Sequence, residues 1–313
     1  MQGKNKILKF MNSYYKTFIQ NISLSAAQMK DGQIKYRGVC DCLAKAFFNR
    51  GLQDNDKFVF GSFKNNTQVL PMGENQDVDV VFKISEEIYE SYKTRPGAIL
   101  QKVRGILKEK YSATDHISAW GKVVLVDFAK GHHDIEVAPC YETNEGVFLI
   151  PNTSKGEVNW EEFDVRGQID KFKKSNDNSY GLTRDLVKIL KKWVRNTSSL
   201  NYSSYNVTED VISFVNSFYP KGVESNRYDV IVKDFFTYLL NNLPDHLNSY
   251  KSNVETAKNR AIKANQFEEQ GLHIEASEEC IKIFGNDFPK AESNSNTERK
   301  CDTVIPVRPW AQN

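Results

Sequence analysis

Residues 60–82 read FGSFKNNTQVLPMGENQDVDVVF, and the fold turns on this stretch. An apolar run from Lys57 to Phe60 ends in Gly61-Ser62, a polar connection follows, and Asp77-Val78-Asp79 opens a second apolar run, Val80-Val81-Phe82. Both runs read as strands. Residues i and i+2 of a strand share a face, so Asp77 and Asp79 project together while Val78 and Val80 face the core. Two neighbouring carboxylates repel unless a cation lies between them, and Mg²⁺ suits a few carboxylates completed by substrate phosphate oxygens. Gly61 lets the backbone approach a phosphate closely, and the Ser62 hydroxyl with neighbouring N–H groups can hold it.

An Asp-x-Asp at a strand edge is common, and a Gly-Ser at a strand end usually marks an ordinary turn. The order carries the reading: strand, Gly-Ser, loop, then Asp-x-Asp on the next strand. A third acidic strand strengthens it, in GHHDIEVAPCYE at residues 131–142. There Asp134 and Glu136 share one face, Ile135 and Val137 the other, and Pro139 is expected to end the strand. His132 and His133 read as exposed strand histidines, with a second metal site as the alternative.

These residues resemble the DNA polymerase β-type nucleotidyltransferases, and within them the cGAS/DncV-like enzymes (CD-NTases). The family's first motif, Gly-Ser followed by Asp-x-Asp, matches Gly61-Ser62 and Asp77-x-Asp79. Its third acid commonly lies three residues before a proline, which implies Glu136. The usual preference for Asp implies Asp134 instead, and both stay open. Where the family often has Gly-Thr, this chain has Asn66-Thr67, and Asn tolerates positive φ better than other non-glycine residues.

The segment TRDLVKILKKWVRN, residues 183–196, places Leu186, Ile189, Leu190 and Trp193 on one helical face. Lys188, Lys191, Lys192 and Arg195 fall on the other, which by itself reads as a solvated surface. The resemblance implies that Lys191, two residues before Trp193, reaches a substrate triphosphate, with Lys188 as the alternative. Asn201-Tyr202-Ser203-Ser204-Tyr205 then opens another apolar-periodic segment, where Ser203 or Ser204 is a good N-cap. The family's Ser-Ser-Tyr at this point implies a phosphate contact from Ser203 or Ser204 and a base-stacking ring from Tyr205. A helix N-terminus also favours an anion.

The 313 residues suffice for one large or two modest domains. With 42 basic and 40 acidic side chains, the net charge of +2 does not suggest a general nucleic-acid coat. No apolar run approaches the ~20 residues of a membrane span, and the N-terminus lacks a signal-peptide core. The scattered cysteines Cys40, Cys42, Cys140, Cys280 and Cys301 argue for reduced thiols, hence a cytoplasmic protein.

Helices are expected over 5–21 and 24–49, the latter stopping at Gly51, and over 95–111. Strands are expected at 57–61, 77–84, 121–128 and 132–139. Beyond about 160 the pattern becomes helical, at 164–175, 182–196, 204–218, 228–242, 250–269 and 273–284. The expected fold is α+β. A polymerase β-like nucleotidyltransferase lobe (1–155, a mixed sheet with helices and a long N-terminal brace helix) precedes a C-terminal helical lobe (156–289), with the cleft between them and a mobile tail at 290–313.

What the resemblance implies is two-metal nucleotidyl transfer with two Mg²⁺ ions, or Mn²⁺, on Asp77, Asp79 and the third acid. The expected product is a cyclic di- or oligonucleotide second messenger made from nucleoside triphosphates, in bacterial antiphage signalling. A regulatory protein partner through the tail is part of that expectation. The alternatives are a linear-product enzyme acting on RNA or a small molecule, and a catalytically dead nucleotide-sensing scaffold.

Overall fold

The computed structural model describes residues 10–73, 76–114, 116–128, 132–154, 158–220 and 227–292. Leu8, Cys301, Trp310 and the tail beyond 292 lie outside these residues.

Helices α1 (Phe10–Asn21) and α2 (Ala26–Phe48) open the chain. Ser25 starts α2 with a capping box: its side chain accepts from the Gln28 N–H, and the Gln28 side chain accepts from the Ser25 N–H. At the far end Asn49 adopts the left-handed conformation, φ 51°, so it closes the helix in place of the expected Gly51.

Next come β1 (Lys57–Val59), the single turn α3 (Gly61–Lys64), β2 (Asp77–Lys83), α4 (Glu86–Tyr92) and α5 (Pro96–Lys110). Strands β3 (His116–Trp120), β4 (Val123–Asp127), β5 (Asp134–Glu142), β6 (Phe148–Asn152) and β7 (Asn159–Glu162) follow. The remainder is helical: α6 (Val165–Asn178), α7 (Leu182–Asn196), α8 (Ser204–Phe218), α9 (Tyr228–Asn241), α10 (Lys251–Glu269) and α11 (His273–Phe284).

The sheet runs β1-β2-β5-β4-β3, with β6 on β5 and β7 on β6. Among the described strands only β2 and β5 pair in parallel, and their register sets Asp77 beside Asp134 and Asp79 beside Glu136. This is the α+β architecture expected, with two differences. Pro139 does not end its strand: β5 continues to Glu142. Residues 137, 139 and 141 point to the side away from β2, where β4 pairs as far as Val137 and β6 begins at Tyr141. Pro139 falls in the gap between these neighbours, where no partner needs its missing N–H. The expected lobe boundary at 155/156 falls between β6 and β7, which pair with each other.

One face of the sheet (Val78, Val80, Val124, Val126, Ile135, Val137) packs against α2 and α5 through Val39, Leu43, Ile99, Val103 and Leu107. A second core joins α1 to α7–α11 and holds Tyr15, Phe18, Trp193, Phe214, Phe236 and Phe284. Each such large side chain contributes about 1.5–3 kcal/mol of burial free energy. Helix α7 lies centrally and is buried around most of its circumference. For that reason Lys188, Lys191 and Lys192 are 4–7% exposed, and the solvated face expected for them is absent. No helix among the described residues is long and apolar enough to cross a membrane.

Candidate active site

Because Val78 and Val80 are committed to the core, alternation sends Asp77 and Asp79 to the opposite face. They open into a cavity of about 360 Å³ that is also lined by Gly61, Ser62, Lys191, Ser204 and Tyr205. Four stretches distant in sequence thus meet at one point: the α3 turn, β2, the middle of α7 and the first turn of α8.

Gly61 is required twice over. Its φ is +64°, and a Cβ there would sit 2.2 Å from Asp79 Oδ2. The Phe60 N–H donates to the Asp79 carbonyl at 3.1 Å, tying the turn to the acid strand. The Thr67 N–H donates to the Ser62 carbonyl at 2.9 Å, and Asn66 takes φ 53°. The left-handed turn therefore forms with Asn where the resembled motif has Gly.

Burial first, then the Glu136 and Asp77 carboxylates, push the Asp79 carboxyl up to about 7. Burial, with Asp134 and Asp127, raises Asp77 to about 6. Burial and Asp77 raise Glu136 to about 7. Burial and mutual repulsion thus make these three acids resist ionising together. Among the described residues no group of three or more His, Cys, Asp or Glu side chains is placed to hold a metal ion by itself. Lys191 is pushed down, to about 7, by burial and Arg195, against the pull of Asp79.

The rival positions separate. The Asp134 Oδ1 accepts the Phe128 N–H at 2.7 Å, so this carboxylate is engaged in holding the end of β4. Glu136, next to Asp79 in register, has no such engagement among the described residues. Neither lines the 360 Å³ cavity itself. Lys188 lies outside it and donates to Ser23 Oγ at 2.9 Å. Ser203 is the N-cap of α8, accepting the Asn206 N–H at 3.1 Å, while Ser204 faces the cavity. Tyr205, 60% exposed, presents an accessible ring.

Sequence reading did not find Gln168, Phe172, Thr208 or Glu209, which α6 and α8 bring to the same cavity. It also missed the use of Arg195, which donates to the Val69 carbonyl at 2.7 Å and the Pro71 carbonyl at 3.1 Å. A smaller recess of about 70 Å³ lies between Ser62, Lys191, Arg195 and Ser204. A larger groove of about 980 Å³ runs along β1 between α2 and α6. It contains none of the paired acids, whereas the 360 Å³ cavity is lined by Asp77 and Asp79.

A family model described as the Second Messenger Oligonucleotide or Dinucleotide Synthetase domain matches residues 10–176. A probable cyclic nucleotide synthase of Bacillus cereus (strain VD146) is 23% identical, over 91% of this chain and 100% of that protein. The Vibrio cholerae DncV cyclic AMP-GMP synthase, solved with a linear intermediate, superposes with a TM-score of 0.66 at 12% identity, covering 90% of this chain and 98% of that one. CdnC of E. coli MS115-1, in a complex with HORMA-deltaN, gives a TM-score of 0.64 at 14% identity, covering 90% and 98%. CdnG of Bradyrhizobium diazoefficiens, in complex with GTP, gives 0.64 at 11%, covering 87% and 94%. The structural likenesses show a shared fold. The family match covers more than half of the sequence, and the chain belongs to the second messenger oligonucleotide or dinucleotide synthetase domain family, whose members are nucleotidyltransferases.

Proposed function

We propose that Asp77, Asp79 and Glu136 hold the divalent cations of a nucleotidyl transfer that joins nucleoside triphosphates into a cyclic di- or oligonucleotide. One observation carries the reading: paired acids in register on two parallel strands, with Asp77 and Asp79 of β2 opening on a cavity that also holds a glycine-serine turn, a buried lysine and a helix N-terminus.

Divalent cations at these acids supply acidification of the attacking hydroxyl and charge neutralisation at the departing pyrophosphate. The chain's own residues position the reactants. Gly61 gives the triphosphate close access to backbone, and Ser62 and Ser204, both lining the cavity, offer hydroxyl donors. At the start of α8 the Asn206 N–H is taken by Ser203 Oγ, which leaves the N–H groups of Ser204 and Tyr205 without an intrahelical acceptor and favourable to an anion. Lys191, poorly solvated in the cavity, gains a partner when phosphate enters, so binding favours its charged form. Tyr205 stacks on a base. Little covalent chemistry falls to the protein, and alignment of hydroxyl, phosphorus and leaving group is its main contribution.

The GTP-bound CdnG structure and the ATP complex of CdnC support nucleoside triphosphates as substrates. The CdnC complex with HORMA-deltaN supports a regulatory protein partner, and antiphage signalling is the setting that this family suggests. The test is incubation of the purified chain with labelled ATP, GTP, CTP and UTP plus Mg²⁺, followed by phosphatase. A phosphatase-resistant cyclic product is expected. Linear products alone would replace ring closure with chain extension, and no product from any mixture would overturn the reading.

A further inference from the structure

His133, read from sequence as an exposed strand histidine, precedes β5 and is 0% exposed. Its Nε2 lies 3.0 Å from Gln68 Oε1, and Gln68 Nε2 donates to the Asp77 carbonyl at 2.9 Å. Gln68 is itself 4% exposed. The need for this bridge follows from the sheet. The Asp79 carbonyl points toward β1 and is met by the Phe60 N–H. The Asp77 carbonyl, two residues away, points to the same side. The chain has by then left β1 for the α3 turn, so no strand partner reaches it, and a carbonyl in this position needs a donor. The Gln68 amide supplies that donor.

The chain of bonds has one polarity. A carbonyl only accepts, so the Gln68 NH₂ must face Asp77 and its Oε1 must face His133. His133 therefore carries its proton on Nε2. Its Nδ1 is buried without a hydrogen-bond partner among the described residues and lies 3.6 Å from Asp31 Oδ2 on α2. Asp31 also accepts the His133 backbone N–H at 3.5 Å and pairs with Lys35 at 3.0 Å. Helix α2 approaches through Gly32, where a Cβ would meet the Phe63 ring at 2.5 Å and His133 Nδ1 at 3.1 Å.

We infer that His133 and Gln68 are positioning residues, a buried strut from α2 that fixes the main chain of Asp77 and thereby its carboxylate for cation binding. The inference rests on the reading of Asp77 as a cation ligand. Loss of an outer partner of a metal ligand typically weakens metal binding 10–100-fold.

The test is Mn²⁺ binding to the full chain by electron paramagnetic resonance, with kcat and KM measured alongside. The variants are Gln68→Met, which keeps volume without either hydrogen bond, His133→Leu, and His133→Gln, whose amide can still donate to Gln68. Gln68→Met and His133→Leu are expected to weaken Mn²⁺ about tenfold or more and to lower kcat with little change in KM. His133→Gln should recover much of both. ¹⁵N NMR of the wild type should show His133 as the Nε2–H tautomer. If His133→Leu does not fold, Gln68→Met decides. Wild-type Mn²⁺ affinity in Gln68→Met, with or without a lowered Tm, overturns the strut so long as Asp77→Asn loses the metal. Unchanged Mn²⁺ affinity in Asp77→Asn would remove the cation assignment and the strut with it.

Discussion

Asp79→Asn should make the metal-free protein more stable while abolishing its chemistry. Burial, reinforced by Glu136 and Asp77, raises the Asp79 carboxyl from 3.8 to about 7. At 1.36 kcal/mol per pH unit, ionising it in the fold costs ~4 kcal/mol more than in the unfolded chain. The group is half-buried, and solvent screening removes roughly half of that, leaving about 2 kcal/mol. The sign follows from linkage. The raised value means that Asp79 contributes stability below its unfolded value of 3.8, and this contribution is lost as pH rises through about 7. Asn has no charge to bury and does not lose it. With unfolding entropy near 2.1 cal/mol/K per residue, a chain of this length gains about 1.5 °C per kcal/mol, so Tm should rise by about 3 °C at about pH 8. The gain should shrink toward zero near pH 4. Lys191, held down to about 7 by burial and Arg195, is mostly neutral at about pH 8 and loses little when its partner goes. Added Mg²⁺ should raise the Tm of the wild type and not of the variant. Differential scanning fluorimetry across pH reads all of this. A lower Tm for Asp79→Asn at about pH 8 would refute the reasoning, since it would mean that the carboxylate is well satisfied without a cation.

Glu136→Gln should lower turnover by orders of magnitude. Asp134→Asn, which weakens the 2.7 Å bond to the Phe128 N–H, should instead cost about 1 kcal/mol of stability and leave the rate within several-fold, as steady-state kinetics and denaturant melts would show. Gly61→Ala forces a Cβ into Asp79 at a positive φ, and a displacement of about 1 Å at this position should lower kcat roughly 100-fold; an active alanine variant would place the phosphate turn elsewhere. Tyr205→Ala should weaken every accepted triphosphate by about 1–3 kcal/mol and Tyr205→Phe should be nearly silent, read by competition binding; a changed base preference at constant affinity would make Tyr205 a reader of bases rather than a stacking platform.

Much of this was legible in the sequence where period and punctuation agreed. Helices α7, α8 and α11 begin and end where the apolar stripes at 182–196, 204–218 and 273–284 do. The acid strands were legible because alternation forces Asp77 and Asp79 to one face once Val78 and Val80 are buried. Strand β3 was missed because His116–Trp120 buries one residue, Ile117, and so shows no clear period, and β6–β7 because the sequence around 150–160 has the composition of a linker. The burial of α7's lysines was not legible, since their partners come from elsewhere in the chain: Ser23 for Lys188, and Leu70 and Asp287 for Lys192. Likewise nothing local in Gln68 or His133 announces a buried bond between them. That pairing exists only because β1 ends early and leaves a carbonyl unmet.

The most direct test is a crystal structure with Mn²⁺ and a non-hydrolysable nucleoside triphosphate, with the metals located by anomalous scattering. The account predicts manganese against Asp77 and Asp79, Glu136 beside one of the ions, and the triphosphate held between Gly61-Ser62, Lys191 and Ser204. Manganese away from these acids, or a triphosphate lodged in the groove along β1 with the acid face bare, would contradict it.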